Sequence, residues 1–281
     1  MNPLTNFNRR GGRFLHRCKV FLARTDGIAA LEFALLAPVM IYTLLVAADV
    51  AHGLTISRRL TNAADVIAQL VSQQTTNGQV QGTITDVDLL GDFASIITTF
   101  PDVLTDAGLQ FESWQTDIQP IVTSVAFGPT TSPPSPNCTV TSPQDPPISP
   151  TCTVATAIWS AGFISTKFAT TRACGLSQLL PAVSNFATPS LSTIPPGLYI
   201  PGTVIVVDIT YVFRPTFTEW LTGPFTFQRT AYIAPRFFTE LSYSGPSGKN
   251  VTSSTNTSTH VTTYADNPSG ITSCSYTGTR P

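Results

Sequence analysis

Glu32 is the residue whose placement most strongly indicates a chemical role, because it interrupts an apolar run. It follows the segment Asp26-Gly27-Ile28-Ala29-Ala30-Leu31 and is followed by the aromatic Phe33. A carboxylate inside an apolar membrane span costs about 2.5 kcal/mol or more, so it is normally paired or protonated. We therefore expect Glu32 either to pair with another group or to lie at the headgroup level of an ordinary membrane anchor.

Cysteines are the next candidates for chemistry, and four of the five lie beyond this apolar run. They are Cys138, Cys152, Cys174 and Cys274, whereas Cys18 precedes the run in a basic segment. An even number of cysteines without a Cys-x-x-Cys pair is typical of structural disulfides in an oxidising compartment, and less so of a metal site. Of the three possible connectivities, we favour Cys138 with Cys152, closing a short proline-rich loop, and Cys174 with Cys274.

Catalytic and ligand-binding signatures are scarce. None of the histidines stands with a second histidine and a carboxylate in a metal-ligand spacing: His16, His52 and His260. The GxSxG, HExxH, phosphate-loop and dinucleotide-binding motifs are absent. Charged residues make up 11% of the chain and the net charge is -1. The chain therefore has no general excess of basic residues that would bind the phosphates of a nucleic acid. We expect a protein that is not an enzyme, with no metal, cofactor, small-molecule substrate or nucleic-acid partner.

Basic residues are concentrated before the apolar run. Residues 1–27 contain six of them against one acid, Asp26: Arg9, Arg10, Arg13, Arg17, Lys19 and Arg24. Residues 28–54 form the one candidate membrane span, with no charge over 33–48. Because about 20 apolar residues are needed to cross a bilayer as a helix, the span reaches that length only if it includes 28–31. The excess of basic residues predicts a cytoplasmic N-terminus.

The helix is expected to continue beyond the membrane. In residues 56–74, apolar side chains recur at spacings of three and four, the pattern of one helical stripe. The stripe comprises Leu60, Ala63, Ala64, Ile67, Leu70 and Val71. Asn77-Gly78 ends the pattern. A helix over 28–74 would be about 70 Å long, with its first half in lipid and its second half packed against a soluble domain.

The rest of the chain predicts an α+β domain with an antiparallel sheet of four or more strands. Thr85 and Asp88 match a capping box that opens a short helix over 86–100. Segments rich in β-branched and aromatic residues predict strands at 118–127, 153–161, 203–213 and 225–235. Residues 244–273 are full of Ser, Thr, Asn and Gly, which is typical of a flexible tail or linker.

These patterns predict four segments. A basic cytoplasmic leader covers 1–27, and a transmembrane and amphipathic long helix covers 28–76. A periplasmic α+β domain follows over 77–243, and a C-terminal tail rich in Ser, Thr and Gly covers 244–281.

The segment from Asp26 to Phe33 resembles the prepilin-peptidase site of type IV pilins, where cleavage follows the glycine. The resemblance implies that a prepilin peptidase cuts between Gly27 and Ile28. It also implies that Glu32, the fifth residue counted from Ile28, pairs with the new N-terminal ammonium of a neighbouring subunit. Because both charges would lose their water together, such a pair favours one axial register of the subunits.

Residues 26–74 also resemble the N-terminal signature of the TadE-like minor pseudopilins of tight-adherence (Flp, type IVb) pilus assembly. The resemblance rests on the core ALEFALLAP, residues 30–38, and on the amphipathic helix that follows. It implies a pilin-like fold, a structural role in pilus assembly and cell adhesion, and a single-pass location in the bacterial inner membrane. The implied partners are the prepilin peptidase, other pilins or pseudopilins, and the assembly platform.

Two alternative functions remain open from the sequence. The first is a membrane-anchored periplasmic adhesion or binding module without prepilin processing. The second is a secreted hydrolase with a conventional signal peptide, for which Val46-Ala47-Ala48 would serve as the cleavage site. The long basic region and Glu32 are unusual for such a peptide, which disfavours the second alternative.

Overall fold

The computed structural model describes residues 28–73, 82–110, 113–129, 153–199, 202–236, 239–245, 252–265 and 270–279. They form two compact units. The first unit contains residues 28–53 and 215–223, and the second contains the described residues of 54–214 and 224–279. Gly27 of the predicted cleavage site lies outside the described residues, and so do Cys138 and Cys152 of the predicted disulfide.

Helix α1, Ile28–Ser72, confirms the predicted long helix and includes Pro38. In the second unit its apolar stripe is buried: Ile56, Leu60, Ala63, Ala64, Ile67, Ala68 and Val71. Leu70, which the sequence pattern placed on this stripe, is instead 38% exposed. At about 100° per residue, Leu70 falls at the margin of the stripe, which explains its exposure.

The remaining elements follow in chain order. They are β1 (Gly82–Ile84), α2 (Asp86–Thr99), α3 (Asp102–Gln110), β2 (Ile118–Pro129), β3 (Thr153–Phe163), β4 (Gly175–Pro181), β5 (Thr193–Ile194), β6 (Gly202–Phe213), α4 (Glu219–Thr222), β7 (Phe225–Ile233), β8 (Leu241–Tyr243), β9 (Thr252–Asn256), β10 (Val261–Ala265) and β11 (Ile271–Tyr276). Helix α4 belongs to the first unit and the others to the second.

Helix α2 begins at the predicted capping box. The backbone N–H of Thr85 donates to Asp88 Oδ2 at 2.9 Å, and the backbone N–H of Asp88 donates to Thr85 Oγ1 at 3.3 Å. Two amides of the first turn, which have no partner inside the helix, are thereby satisfied. The inner face of α2 then buries Leu89, Phe93 and Ile96.

The second unit is built on a nine-stranded sheet with the order β7-β6-β2-β3-β11-β10-β9, in which β4 also pairs with β3 and β5 with β4. Every pair along the main path is antiparallel. The four predicted strands are β2, β3, β6 and β7, so the α+β class with an antiparallel sheet is confirmed. Strands β1 and β8 form a separate parallel pair.

The structure differs from the expected tail over 244–281. This segment contains β9, β10 and β11, and β11 pairs with β3 inside the sheet. Ser and Asn are typical of loops, but Thr and Tyr suit a half-buried strand, and the pairing satisfies the backbone groups of polar segments. Ile271 and Tyr276 of β11 are buried. The composition alone did not reveal these long-range contacts.

The main core of the second unit lies between the sheet, α2 and the buried stripe of α1. Trp159 of β3 is 1% exposed, and its indole Nε1 donates to the carbonyl oxygen of Leu241 at 2.7 Å. Phe93 of α2 meets Phe163 edge to face, with ring centres 5.0 Å apart. These contacts fix α2 and β8 against the sheet.

A buried ion pair joins Arg172, in the segment between β3 and β4, to Asp208 of β6, both without exposed side-chain surface. Arg172 Nε donates to Asp208 Oδ2 at 2.6 Å, and Nη2 donates to Oδ1 at 2.8 Å. Nη1 donates to the carbonyl oxygens of Leu191 and Thr193, each at 3.1 Å. Thr230 Oγ1 also donates to Asp208 Oδ1, at 2.6 Å. Both charges are thus fully hydrogen-bonded, which is the condition for a buried pair to be tolerated.

Removing one member of this pair should destabilise the second unit strongly. We expect Arg172→Ala to lower the free energy of unfolding by about 3–5 kcal/mol, because Asp208 would remain buried without its partner. The control is Arg59→Ala, which removes the part-exposed ion pair with Asp102 and should cost about 1 kcal/mol or less. Urea unfolding of the full chain in detergent, followed by tryptophan fluorescence, measures both values. Equal losses in the two variants would contradict this assignment.

Candidate functional site

Glu32 lies near the start of α1 on an exposed part of the helix. Phe33, the aromatic residue beside it, is 67% exposed. Within the described part of the chain, no hydrogen bond or ion pair satisfies the Glu32 carboxylate. Ile28, the proposed first mature residue, is the first residue of α1. The structure therefore places Glu32 one helical turn beyond Ile28, where it can contact a group outside this chain.

The first unit exposes a continuous apolar surface along α1. Large side chains exposed there are Leu31, Phe33, Leu35, Leu36, Val39, Met40, Ile41, Leu44 and Val50. An 18-residue window of this helix has a mean hydropathy of 2.1, and only 6% of it is buried. Exposing such a surface to water is unfavourable by about 25 cal/mol per Å². The helix is thus long and apolar enough to serve as a single-pass membrane anchor.

Asp49 is the second carboxylate of α1 within this unit, and unlike Glu32 it is buried, with 5% exposure. Its Oδ1 accepts a hydrogen bond from the backbone N–H of Thr216 at 3.1 Å. Its Oδ2 accepts from the backbone N–H groups of Phe217 at 3.1 Å and Thr218 at 2.8 Å, and from Thr218 Oγ1 at 2.8 Å. We call these four residues the Asp49 cluster. Four donors around one carboxylate satisfy a charge that would otherwise be costly in an apolar setting.

Most of α1 is similar in sequence to a known protein family. Residues 27–69 match the family model described as TadE-like protein. The match confirms the predicted resemblance over this segment, which contains Glu32, Phe33 and Asp49. A search of curated proteins and a search of solved structures each found no match.

Within the first unit, the TadE-like segment carries two carboxylates with opposite surroundings. Asp49 is satisfied by residues of its own unit, which lie 167 to 169 positions away in sequence. Glu32 is exposed beside Phe33, and no described residue pairs with it. The sequence predicted a role for Glu32 from its distance to Gly27. It did not predict the Asp49 cluster, because no local motif indicates a contact between residues so far apart in the chain.

Among the cysteines, the structure forms a disulfide between Cys174 and Cys274, whose Cα atoms are 6.0 Å apart. It joins the segment before β4 to strand β11 of the sheet.

A pocket of about 710 Å³ opens beside this disulfide and is bordered by Asn256 and His260, at the two ends of the β9–β10 turn. Its described lining contains no carboxylate that could act with His260 as an acid–base pair. Within the described residues, no group of three or more His, Cys, Asp or Glu side chains could hold a metal ion.

Loss of the Asp49 carboxylate should loosen the loop that it holds. In Asp49→Ala the backbone amides of residues 216–218 lose their acceptor, and hydrogen bonds to a charged group contribute about 1.5–3 kcal/mol. We expect these amides to exchange with deuterium roughly 10- to 100-fold faster, measured by mass spectrometry. Asp65→Ala, which removes an exposed aspartate of the same helix, should leave their exchange unchanged. Unaltered exchange in Asp49→Ala would show that the carboxylate does not hold the loop.

Proposed function

We propose that this chain is a minor pseudopilin, or an accessory protein of the same kind, that acts in the assembly of a tight-adherence pilus. The TadE-like segment suggests involvement in Tad pilus assembly and association with the membrane and the assembly machinery. The finer role depends on Glu32, the one observation that carries it. An exposed carboxylate at the fifth position of a lipid-facing helix is stabilised by a cationic partner, and a processed neighbouring subunit would supply one in its N-terminal ammonium.

The proposed placement follows from α1. As a single-pass anchor, it would hold the basic segment 1–27 in the cytoplasm and the second unit in the periplasm. An oxidising periplasm suits the disulfide between Cys174 and Cys274. The chain would then work by packing against other pilin-like helices, without catalysing a reaction. Its proposed partners are the prepilin peptidase, other pilins or pseudopilins, and the assembly platform.

The orientation can be tested with reporter fusions. A reporter that is active only in the periplasm should be active when fused after residue 240 and inactive when fused after residue 20, because the six basic residues before Ile28 favour the cytoplasmic side. Reversal of the two activities would contradict the proposed placement of the second unit.

Substitutions at Gly27 and at Glu32 should affect different steps, peptidase cleavage and pilus assembly respectively. Gly27→Leu should leave an uncut precursor in the membrane, because a bulky side chain would not fit beside the bond that is cut. Glu32→Ala should still be cut, yet the cells should lose pili, because the buried ammonium of a neighbouring subunit would lack its partner, at a cost of about 3–5 kcal/mol. Immunoblots for the size of the protein and electron microscopy for pili measure the two effects.

A matched control is Val39→Ala, which changes an exposed residue of the same helix outside the motif. It should preserve both cutting and pili. An uncut wild-type chain in piliated cells would favour the simple membrane anchor. Normal pili in both Gly27→Leu and Glu32→Ala would remove the case for a pseudopilin.

A further inference from the structure

The loop that connects β6 to β7 exposes an unusual set of apolar side chains. Phe217 is 48% exposed, Trp220 is 79% exposed and Leu221 is 57% exposed. All three lie within residues 215–223, in the same unit as the apolar half of α1. Single exposed apolar residues are common on soluble proteins, but three large ones within five positions indicate a surface that contacts something other than water.

The Asp49 cluster fixes this loop at a defined level of α1. With residues 28–31 included, the segment 28–48 is about 32 Å long at 1.5 Å per residue, close to the thickness of the hydrocarbon core of a bilayer, about 30 Å. Asp49 follows this segment directly, and Val50 beyond it is again 58% exposed. If this segment spans the bilayer, the loop bound to Asp49 lies at the boundary between acyl chains and headgroups, at the C-terminal end of the span.

Most backbone amides of the loop are hydrogen-bonded within the first unit. The amides of residues 216–218 donate to Asp49. Those of Leu221, Thr222 and Gly223 donate to the carbonyl oxygens of Thr218 or Glu219 at 2.8 to 3.0 Å. Because six amides are satisfied internally, the loop can enter a region with little water at low cost.

We propose that Phe217, Trp220 and Leu221 insert into the interfacial region of the lipid leaflet that α1 leaves at its C-terminal end. Trp is favoured at this depth because its ring is apolar while its N–H can reach polar headgroups. These side chains lie in the same unit as the exposed apolar surface of α1. Residues 215–223 contain no Lys or Arg, and their one charged residue, Glu219, is exposed, as the polar headgroup region permits. The loop is thus a second membrane contact of the first unit.

This inference rests on the membrane-anchoring part of the proposed function and is independent of prepilin processing. The test uses the full-length protein reconstituted in phosphatidylcholine vesicles whose acyl chains are brominated near the headgroup. Bromine quenches tryptophan fluorescence on contact. Trp220 is one of three tryptophans, so we expect brominated vesicles to remove up to about a third of the emission seen in unbrominated ones.

Two variants test whether Trp220 is the tryptophan that bromine quenches. Trp220→Phe keeps an apolar ring at the exposed site and should lose most of the bromine-dependent quenching, whereas Trp114→Phe should retain it. Equal quenching of the wild type and Trp220→Phe would overturn the proposal. So would a Trp220 that is unquenched by lipid and whose emission changes only when a pilin subunit is added, since the occupant would then be a protein. Loss of pilus function with Trp220 still quenched would leave the inference intact.

Discussion

The main physical constraint on this structure is the cost of placing carboxylates on the apolar helix α1. A charge facing lipid must find polar partners, be neutralised, or reach water. Asp49 finds four donors in residues 216–218, and this contact connects residues far apart in the chain. Glu32 has no partner among the described residues. The same physical requirement is therefore met inside the first unit for Asp49, and for Glu32 we propose that a second molecule meets it.

The same helix also meets a different requirement in its second half. From Ile56 onward its buried apolar residues form one stripe that packs with α2 and the sheet, as in a water-soluble protein. The second unit adds the Arg172–Asp208 pair, whose two charges are satisfied by each other and by neighbouring carbonyl and hydroxyl groups. The two halves of one helix thus meet different solvent requirements with different residue patterns.

Local patterns were sufficient to predict a large part of this architecture. The period of apolar residues predicted α1, the pair Thr85 and Asp88 predicted the start of α2, and β-branched runs predicted β2, β3, β6 and β7. Glu32 was identified because its position relative to Gly27 is a local feature. All of these signals are contained within a few turns of helix or one strand.

The parts that were missed depend on contacts between distant residues. Strands β9 to β11 are rich in Ser and Thr, and they join the sheet because β11 pairs with β3, β10 with β11 and β9 with β10. The Asp49 cluster needs the loop after β6 to return to α1, and nothing near Asp49 in sequence indicates that return. The short strands β4 and β5 likewise exist only through pairing with β3 and with each other. Sequence periodicity reports the surroundings of one segment and carries no information on which distant segment will supply them.

We propose that Glu32 serves a processed, pilin-like helix whose N-terminus is Ile28. The N-terminal residue of the wild-type protein, purified from the membranes of piliated cells and read by mass spectrometry, tests this proposal. We predict a mature chain that begins at Ile28. A chain that retains residues 1–27, or one that begins at Asp49 after a conventional signal peptide, would contradict it.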